Sequence, residues 1–425
     1  MLSTTGFTLM FAVWLMFGVL GIPIRDELGL TDVELSWLSA TAILNGALWR
    51  LPAGVLADRW GGRRVFVLML LATAVPTFLV SQVTTYGMLL VVAFFAGFAG
   101  NAFSVGIAWN SAWFPRERQG FALGVFGAGN VGASVTKLVG PALIAAVPSL
   151  TILGLSFDGW RFVPLMYAVL LVLMAVAMLL LTPRHDRRPG RDRTLASMLA
   201  PLRSVRIWRF SLYYVVVFGA YVALAAWLPK YYVDVFDVPL HEAALLTALF
   251  IFPASLLRPV GGALSDRFGA RRVLYATFAV MLVATGVLMM PYGHIVLTVP
   301  EQYEPDGVRE VLPYELGIWA FTALVFVVGV AMGVGKAAVF KHIPEYFPAD
   351  VGAVGGLVGT LGALGGFVLP PMFAYLQQWT GLPQSTFFLL FALTLVSAIW
   401  MHVTVHRMLH RATPELSQAI EEPRA

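Results

Sequence analysis

The 425-residue chain has no cysteine, which excludes disulfides, thiol catalysis and cysteine-ligated metals. It is also short of charge. Asp, Glu, Lys and Arg make up 12% of its residues, against roughly a quarter in a soluble domain. That is too little to cover a water-facing surface, and it argues against a soluble enzyme, a nucleic-acid-binding protein and a disordered scaffold. The opening run MLSTTGFTLMFAVWLMFGVLG lacks the basic n-region and small-residue cleavage site of a signal peptide, so it is expected to stay as a first membrane span. What the chain does have is apolar residues, 59% of the total, with a mean hydropathy of +0.80. This composition describes a protein that crosses a membrane many times.

A helix needs about 20 apolar residues to cross the hydrocarbon core of a bilayer. That window predicts twelve spans, near 4–23, 35–57, 65–82, 86–112, 120–147, 162–182, 209–229, 241–264, 273–292, 317–340, 353–377 and 384–404. The expected fold is an all-α membrane protein, with twelve transmembrane helices in two pseudo-symmetric six-helix bundles. The expected bundles are 1–182 and 208–405, joined by a basic cytoplasmic linker at 183–207 and followed by a cytoplasmic tail at 406–425. The interval 293–316 reads as an acidic loop between the ninth and tenth spans.

Of the 28 Lys and Arg, only Arg25, Arg161, Lys230 and Arg309 fall in alternate loops on one side. Arg50, Lys137, Arg258, Lys336 and Lys341 fall inside spans, and all the others lie on the opposite side. The positive-inside rule therefore places both termini in the cytoplasm. The pI of about 9.5 is membrane topology, and no nucleic-acid partner is expected.

The two halves repeat. RLPAGVLADRWGGRR at 50–64 and RPVGGALSDRFGARR at 258–272 are in register at an offset of 208. A weaker echo joins Gly120, Gly124 and Gly127 to Gly352, Gly356 and Gly359, after Phe114-Pro115 and Phe347-Pro348. Parallel repeats of this kind put a transporter's substrate site between the halves, near the midplane. The loop pattern Gly54, Asp58, Arg59, Gly61, Arg63, Arg64, with its copy Gly262, Asp266, Arg267, Gly269, Arg271, Arg272, resembles the cytoplasmic motif of the major facilitator superfamily. Its aspartates are expected to pair with nearby arginines and helix ends to latch the halves; the alternative is an ordinary positive-inside loop.

All 23 carboxylates fall in loops, tails or span ends, so no central acid neutralises the cations inside the spans. A charge in hydrocarbon usually faces a cavity and marks a pathway, and the missing counter-ion is most simply a ligand anion. Arg50 and Arg258 each lie eight residues before the motif aspartate, roughly 12 Å along a helix. At that depth two guanidinium forks can clasp a small planar oxyanion. The alternative is a pair of structural arginines satisfied by backbone carbonyls at helix breaks. Lys137 and Lys336 add to the positive field or carry a coupling proton. Lys341 is placed to snorkel, and the adjacent His342 is a relay or a bystander.

The fifth span carries Gly124, Gly127, Gly129, Asn130 and Gly132, and the eleventh carries Gly356, Gly359 and Gly362. Glycines at spacings of three and four let helices approach closely and slide, or bring backbone donors to a ligand. The fifth-span run resembles the nitrate signature of the nitrate/nitrite porter family, the NarK-type branch of the superfamily, and the eleventh-span run resembles its second copy. The resemblance covers all twelve spans. It implies that Arg50 and Arg258 bind nitrate, that Gly127 and Asn130 line the path, and that rings at Phe17, Phe103, Tyr214 and Phe218 sandwich the anion. Lys137 and Lys336 depart from the pattern and leave the coupling ion open.

The expected function is secondary transport of nitrate and nitrite across the cytoplasmic (inner) membrane by alternating access, with exchange ahead of nitrate/proton symport through Lys137, Lys336 or His342. A membrane receptor that binds an anion without moving it is the reading from another class. An enzyme is disfavoured because the spans hold no carboxylate pair, nucleophile–base pair or metal cluster. No cofactor or metal is expected. The expected partners are nitrate, nitrite, protons under symport, and the lipid bilayer around a monomer.

Overall fold

The computed structural model describes residues 1–114, 116–147, 149–152, 154–183, 185–187, 199–291, 293–298, 300, 302, 308–347 and 351–412. Pro115 and Pro348, most of the expected linker and the expected tail beyond 412 lie outside the described residues. Helices dominate because an apolar segment in lipid has no hydrogen-bonding partner for its backbone except itself. Among the described residues, ten are long and apolar enough to cross a membrane: Leu2–Leu28, Gly62–Val80, Tyr86–Trp113, Ala122–Ala146, Gly159–Leu181, Val205–Phe236, Ala270–Leu288, Ile318–Ile343, Ala353–Thr380 and Ser385–Met408. Leu240–Leu256 and Arg258–Phe268, bent by 43°, make an eleventh span. Asp32–Leu48 and Arg50–Trp60 are its counterpart in the first half, at the place of the expected second span.

The repeat is as plain in the backbone as in the motif. Both broken spans, and the helices Gly62–Val80 and Ala270–Leu288 that follow them, are related residue for residue by the offset of 208. The breaks fall at Trp49 (φ −89°, ψ 2°) and Leu257 (φ −83°, ψ 3°). The turns that follow use Gly61 (φ 95°) and Gly269 (φ 85°), a region that glycine occupies without steric cost. This accounts for one glycine of each motif.

Other spans are also interrupted in mid-course. The first changes direction between Trp14 and Phe17, the fourth and fifth contain 3-10 turns at Gly97–Asn101 and Ala128–Val131, and the seventh contains a π-turn at Val215–Gly219. Irregular backbone at membrane depth is tolerated where protein covers it or a cavity is lined. The first and seventh spans have 83% and 89% of their apolar windows buried, against 22% for the twelfth. They form the centre, and the twelfth faces outward.

Among the described residues, two ion pairs cross between the halves at the end opposite the Gly61 and Gly269 turns, the outer end in the orientation expected from the sequence. Lys230 meets Asp32 at 3.0 Å, and Arg25 meets Asp234 at 3.4 Å. Lys230 also pairs with Asp234 on its own helix. The interval read as an acidic loop instead forms an antiparallel ribbon, Gly293–Thr298 against Val308–Tyr314. Its β-branched runs explain the difference, since such residues favour extended backbone.

Candidate functional site

The two helix breaks put Arg50 and Arg258 at the first residue of each second helical piece. Arg50 is 1% exposed. Its Nε donates to the Gly46 carbonyl at 2.8 Å, and its Nη1 reaches across the halves to the Gly359 carbonyl at 3.2 Å. Its Nη2 is buried without a partner, as is Nη1 of Arg258. The alternative of arginines satisfied by carbonyls is therefore met only in part: each guanidinium keeps an open donor.

Lys336 is fully buried and donates to the Ala254 carbonyl at 2.9 Å. Gly46 and Ala254 are themselves related by the offset of 208. Each lies in the last turn before a break, where carbonyls lack an intrahelical donor. The same local defect thus holds a cation in each half.

Aromatic rings enclose the three cations. The Arg50 guanidinium carbon lies 5.1 Å from the Trp14 ring centre, 5.2 Å from Phe218 and 5.6 Å from Phe103. Arg258 lies 5.3 Å from Phe103 and 5.2 Å from Phe340, so the two arginines share one ring. Lys336 Nζ sits 3.2 Å from the Tyr221 ring centre and 5.6 Å from Phe218. Tyr214 stacks on Phe218 at 5.0 Å and meets Phe340 edge-on at 4.9 Å. The π-turn at Val215–Gly219 widens the helix between Tyr214 and Phe218, as such turns often do at functional sites.

Asn130 lies in the 3-10 turn of the fifth span, buried, with neither Nδ2 nor Oδ1 partnered. Its carbonyl accepts from the Tyr221 hydroxyl at 3.4 Å, and that hydroxyl is also 3.0 Å from Ser255 Oγ. This joins the fifth span to the ring under Lys336.

Arg258 lies within electrostatic reach of both Arg50 and Lys336. A ring face offsets about 0.5–2 kcal/mol of a cation's desolvation, whereas the penalty for a buried ion is several kcal/mol. The rings lessen the deficit and leave a net positive hollow. Space is left there too, because a Cβ on Gly359 would meet nothing within 4 Å. At Gly127 a Cβ would lie 3.3 Å from Arg258 Nη1. Gly129, Gly132 and Gly362 instead serve close packing, since a Cβ there would meet Phe7 at 2.6 Å, Thr8 O at 1.9 Å and Tyr214 at 2.3 Å. Gly124 and Gly356 face Pro259 and Leu51 across the halves.

Several expected residues lie elsewhere. Phe17 is buried but lines a small outer cavity with Trp227 and Lys230; Trp14, almost one turn earlier, takes the place against Arg50. Lys137 is buried apart from the three cations and donates to Leu15 O at 3.2 Å, a carbonyl at the break in the first span that also accepts from Gly18 N–H. Lys341 pairs with Asp266 at 2.5 Å at the inner end. His342 packs on Phe210 and Tyr346. Of the residues of the expected latch, Asp266 binds within its own half. Arg63 binds Thr182 Oγ1, Leu179 O and, through its backbone N–H, Asp186, all in or next to its own half.

Trp14, Tyr221, Ser255 and Phe340 were not anticipated. Helical spacing points to three of them, since Phe7, Phe11 and Trp14, then Tyr214, Phe218 and Tyr221, then Lys336 and Phe340 recur at three and four residues.

The chain matches the family model of the Major Facilitator Superfamily over residues 2–297 and 235–422. It is 68% identical over 421 residues to a Thermus thermophilus protein named "Probable nitrate/nitrite antiporter NarK1", covering 99% of this chain and 94% of that one. It is 31% identical to the "Nitrite extrusion protein" of Bacillus subtilis, covering 92% and 91%. A Staphylococcus epidermidis protein named "Probable nitrate transporter NarT" is 28% identical, with 94% of each covered. Among solved structures, a bacterial homolog to the human lysosomal transporter Spinster superposes with a TM-score of 0.71 at 16% identity, covering 95% of this chain and 96% of that one.

Proposed function

Since this chain belongs to the major facilitator superfamily, and within it to the nitrate/nitrite porters, we propose that it is a multi-pass membrane transporter that moves nitrate and nitrite by exchange. The observation that carries this reading is the cluster of the buried Arg50 and Lys336 with the half-buried Arg258, caged by rings and, among the described residues, paired with no carboxylate. The relatives' names support the same substrates and, for the Thermus protein, antiport.

Nitrate is flat, singly charged and weakly hydrated, so it suits ring faces around a pair of planar guanidiniums. The anion accepts from the open Nη2 of Arg50 and the open Nη1 of Arg258, one from each half. Asn130 Nδ2 offers a further donor from the fifth span. An empty site leaves like charges facing each other across the interface, and a bound anion removes much of that repulsion. The halves, 1–182 and 208–405, close over a filled site and resist closing over an empty one. Net movement then requires a return load, which is exchange. The protein works as a monomer in the cytoplasmic membrane with both termini inside. Its site calls for no cofactor and performs no covalent chemistry.

Nitrate/proton symport is the second reading, and the specific observation favouring it is Lys336, a third cation beyond the pair that one anion needs. The two readings separate in proteoliposomes. Under exchange, labelled nitrate enters vesicles preloaded with nitrite, stays out of empty ones and ignores an imposed pH gradient. Gradient-driven accumulation in empty vesicles overturns exchange, and its loss in Lys336→Gln names the coupling residue.

A further inference from the structure

A second basic site lies at the inner end of the C-terminal half, outside the ring cage. Arg209, Tyr213, Arg271 and His342 line a narrow cleft. They stand close to the inner ends of three spans: Val205–Phe236 for the first two, Ala270–Leu288 for Arg271 and Ile318–Ile343 for His342. Arg209 is 8% exposed and Tyr213 2%, so these are built-in groups and not surface side chains. The Tyr213 hydroxyl is buried without a hydrogen-bond partner, although it belongs to the lining. Leaving such a group unpaired costs about 1–3 kcal/mol. His342 donates from Nδ1 to the Ala338 carbonyl at 2.8 Å, which leaves Nε2 as its second polar atom. At the rim, Arg206 lies 5.5 Å from the Tyr346 ring centre, and Glu345 is the acid within electrostatic reach of His342. Arginines outnumber acids, and an orphan hydroxyl lies among them.

The fourth wall is apolar. Met401, Val405 and Met408 come from the twelfth span, whose apolar window is only 22% buried and which therefore presents its flank to lipid. The cleft lies beside the ends of these spans, basic on one side and bounded on the other by a helix whose apolar window is mostly exposed. Basic pockets between spans on the cytoplasmic side suit the headgroups of anionic lipids. We propose that this cleft holds the phosphate of an anionic membrane phospholipid. Arg209 and Arg271 pair with the phosphate oxygens, the Tyr213 hydroxyl donates to one of them, and an acyl chain descends along Met408, Val405 and Met401. The lipid thereby ties the seventh, ninth, tenth and twelfth spans together at the end where Arg271 belongs to the repeated turn motif.

The test uses the purified full-length chain in neutral detergent, titrated with phosphatidylglycerol, phosphatidylcholine or inorganic phosphate. It follows the thermal midpoint and the lipid retained in native mass spectrometry. Phosphatidylglycerol is expected to raise the midpoint and remain bound one to one, while the other two do neither. Tyr213→Phe keeps the ring and removes the donor. It is expected to weaken phosphatidylglycerol binding about tenfold while leaving the lipid-free midpoint at or above that of the unaltered chain. Arg209→Gln is expected to abolish retention; if that variant does not fold, Tyr213→Phe carries the test alone. An unchanged affinity in Tyr213→Phe overturns the site. An equal shift with inorganic phosphate or phosphatidylcholine overturns the assignment to an anionic lipid.

Discussion

Arg50 is held by two carbonyls and three rings yet keeps one open donor, and that donor decides what substitution does. Arg50→Lys or Arg258→Lys preserves charge but loses the planar fork. Nitrate affinity is expected to fall at least tenfold, the equivalent of one charge-assisted hydrogen bond. Wild-type affinity in either variant, measured by nitrate-dependent tryptophan quenching or by uptake, would remove the two-arginine clasp. Asn130 offers a sharper case. Both its side-chain polar atoms are buried and unpartnered, so Asn130→Leu removes an uncompensated amide at similar volume. Stability is expected to hold or rise while affinity drops. A variant that lost stability but bound nitrate normally would show that the amide serves the fold.

Glycines that look alike along the helices differ in what faces them. At Gly132 a Cβ would lie 1.9 Å from the Thr8 carbonyl, while at Gly359 it would meet nothing within 4 Å. Gly132→Ala forces the first and fifth spans apart, at a cost of about 1–3 kcal/mol for overpacking. Gly359→Ala adds a methyl to the hollow beside Arg50 and is expected to leave the thermal midpoint unchanged while cutting transport. Thermal denaturation and uptake on the same two samples check both. Equal loss of stability in the two would mean that Gly359 is a packing glycine and that the space beside Arg50 is not the substrate's.

For the whole molecule, the outer end is closed by pairs that cross the halves, Lys230 with Asp32 and Arg25 with Asp234. Opening that end must break them. Asp32→Asn frees Lys230 from the opposite half while leaving Asp234 on its own helix, so it is expected to shift the population toward outward opening. The chain contains no cysteine and is ready-made for single-cysteine labelling. Ser39→Cys, in the outer cavity, is expected to react with an impermeant maleimide several-fold faster when combined with Asp32→Asn. An unchanged rate would mean that apolar packing, and not the ion pairs, holds the outer end shut.

The spans, the repeat and the two arginines were legible in the sequence because each has a local physical signature. A bilayer demands a fixed apolar length, a repeat shows as register, and a mid-span arginine without a carboxylate stands out by its cost. Phe17 and Trp14 show where legibility ends. Both are aromatic residues of the first span, three apart, with the helix interrupted between them; Trp14 lies against Arg50 and Phe17 lines the outer cavity. Lys336 and Lys137 had equal claims as buried cations until helix packing inside each half put one on the Tyr221 ring and the other on the Leu15 carbonyl. Likewise Asp266 had arginines beside it in sequence, yet it pairs with Lys341, which the tenth span brings alongside. Depth in the membrane is a one-dimensional property that residue number supplies. The direction a side chain faces depends on helix rotation, on breaks and on how two bundles meet, and these follow from contacts between residues far apart in the chain.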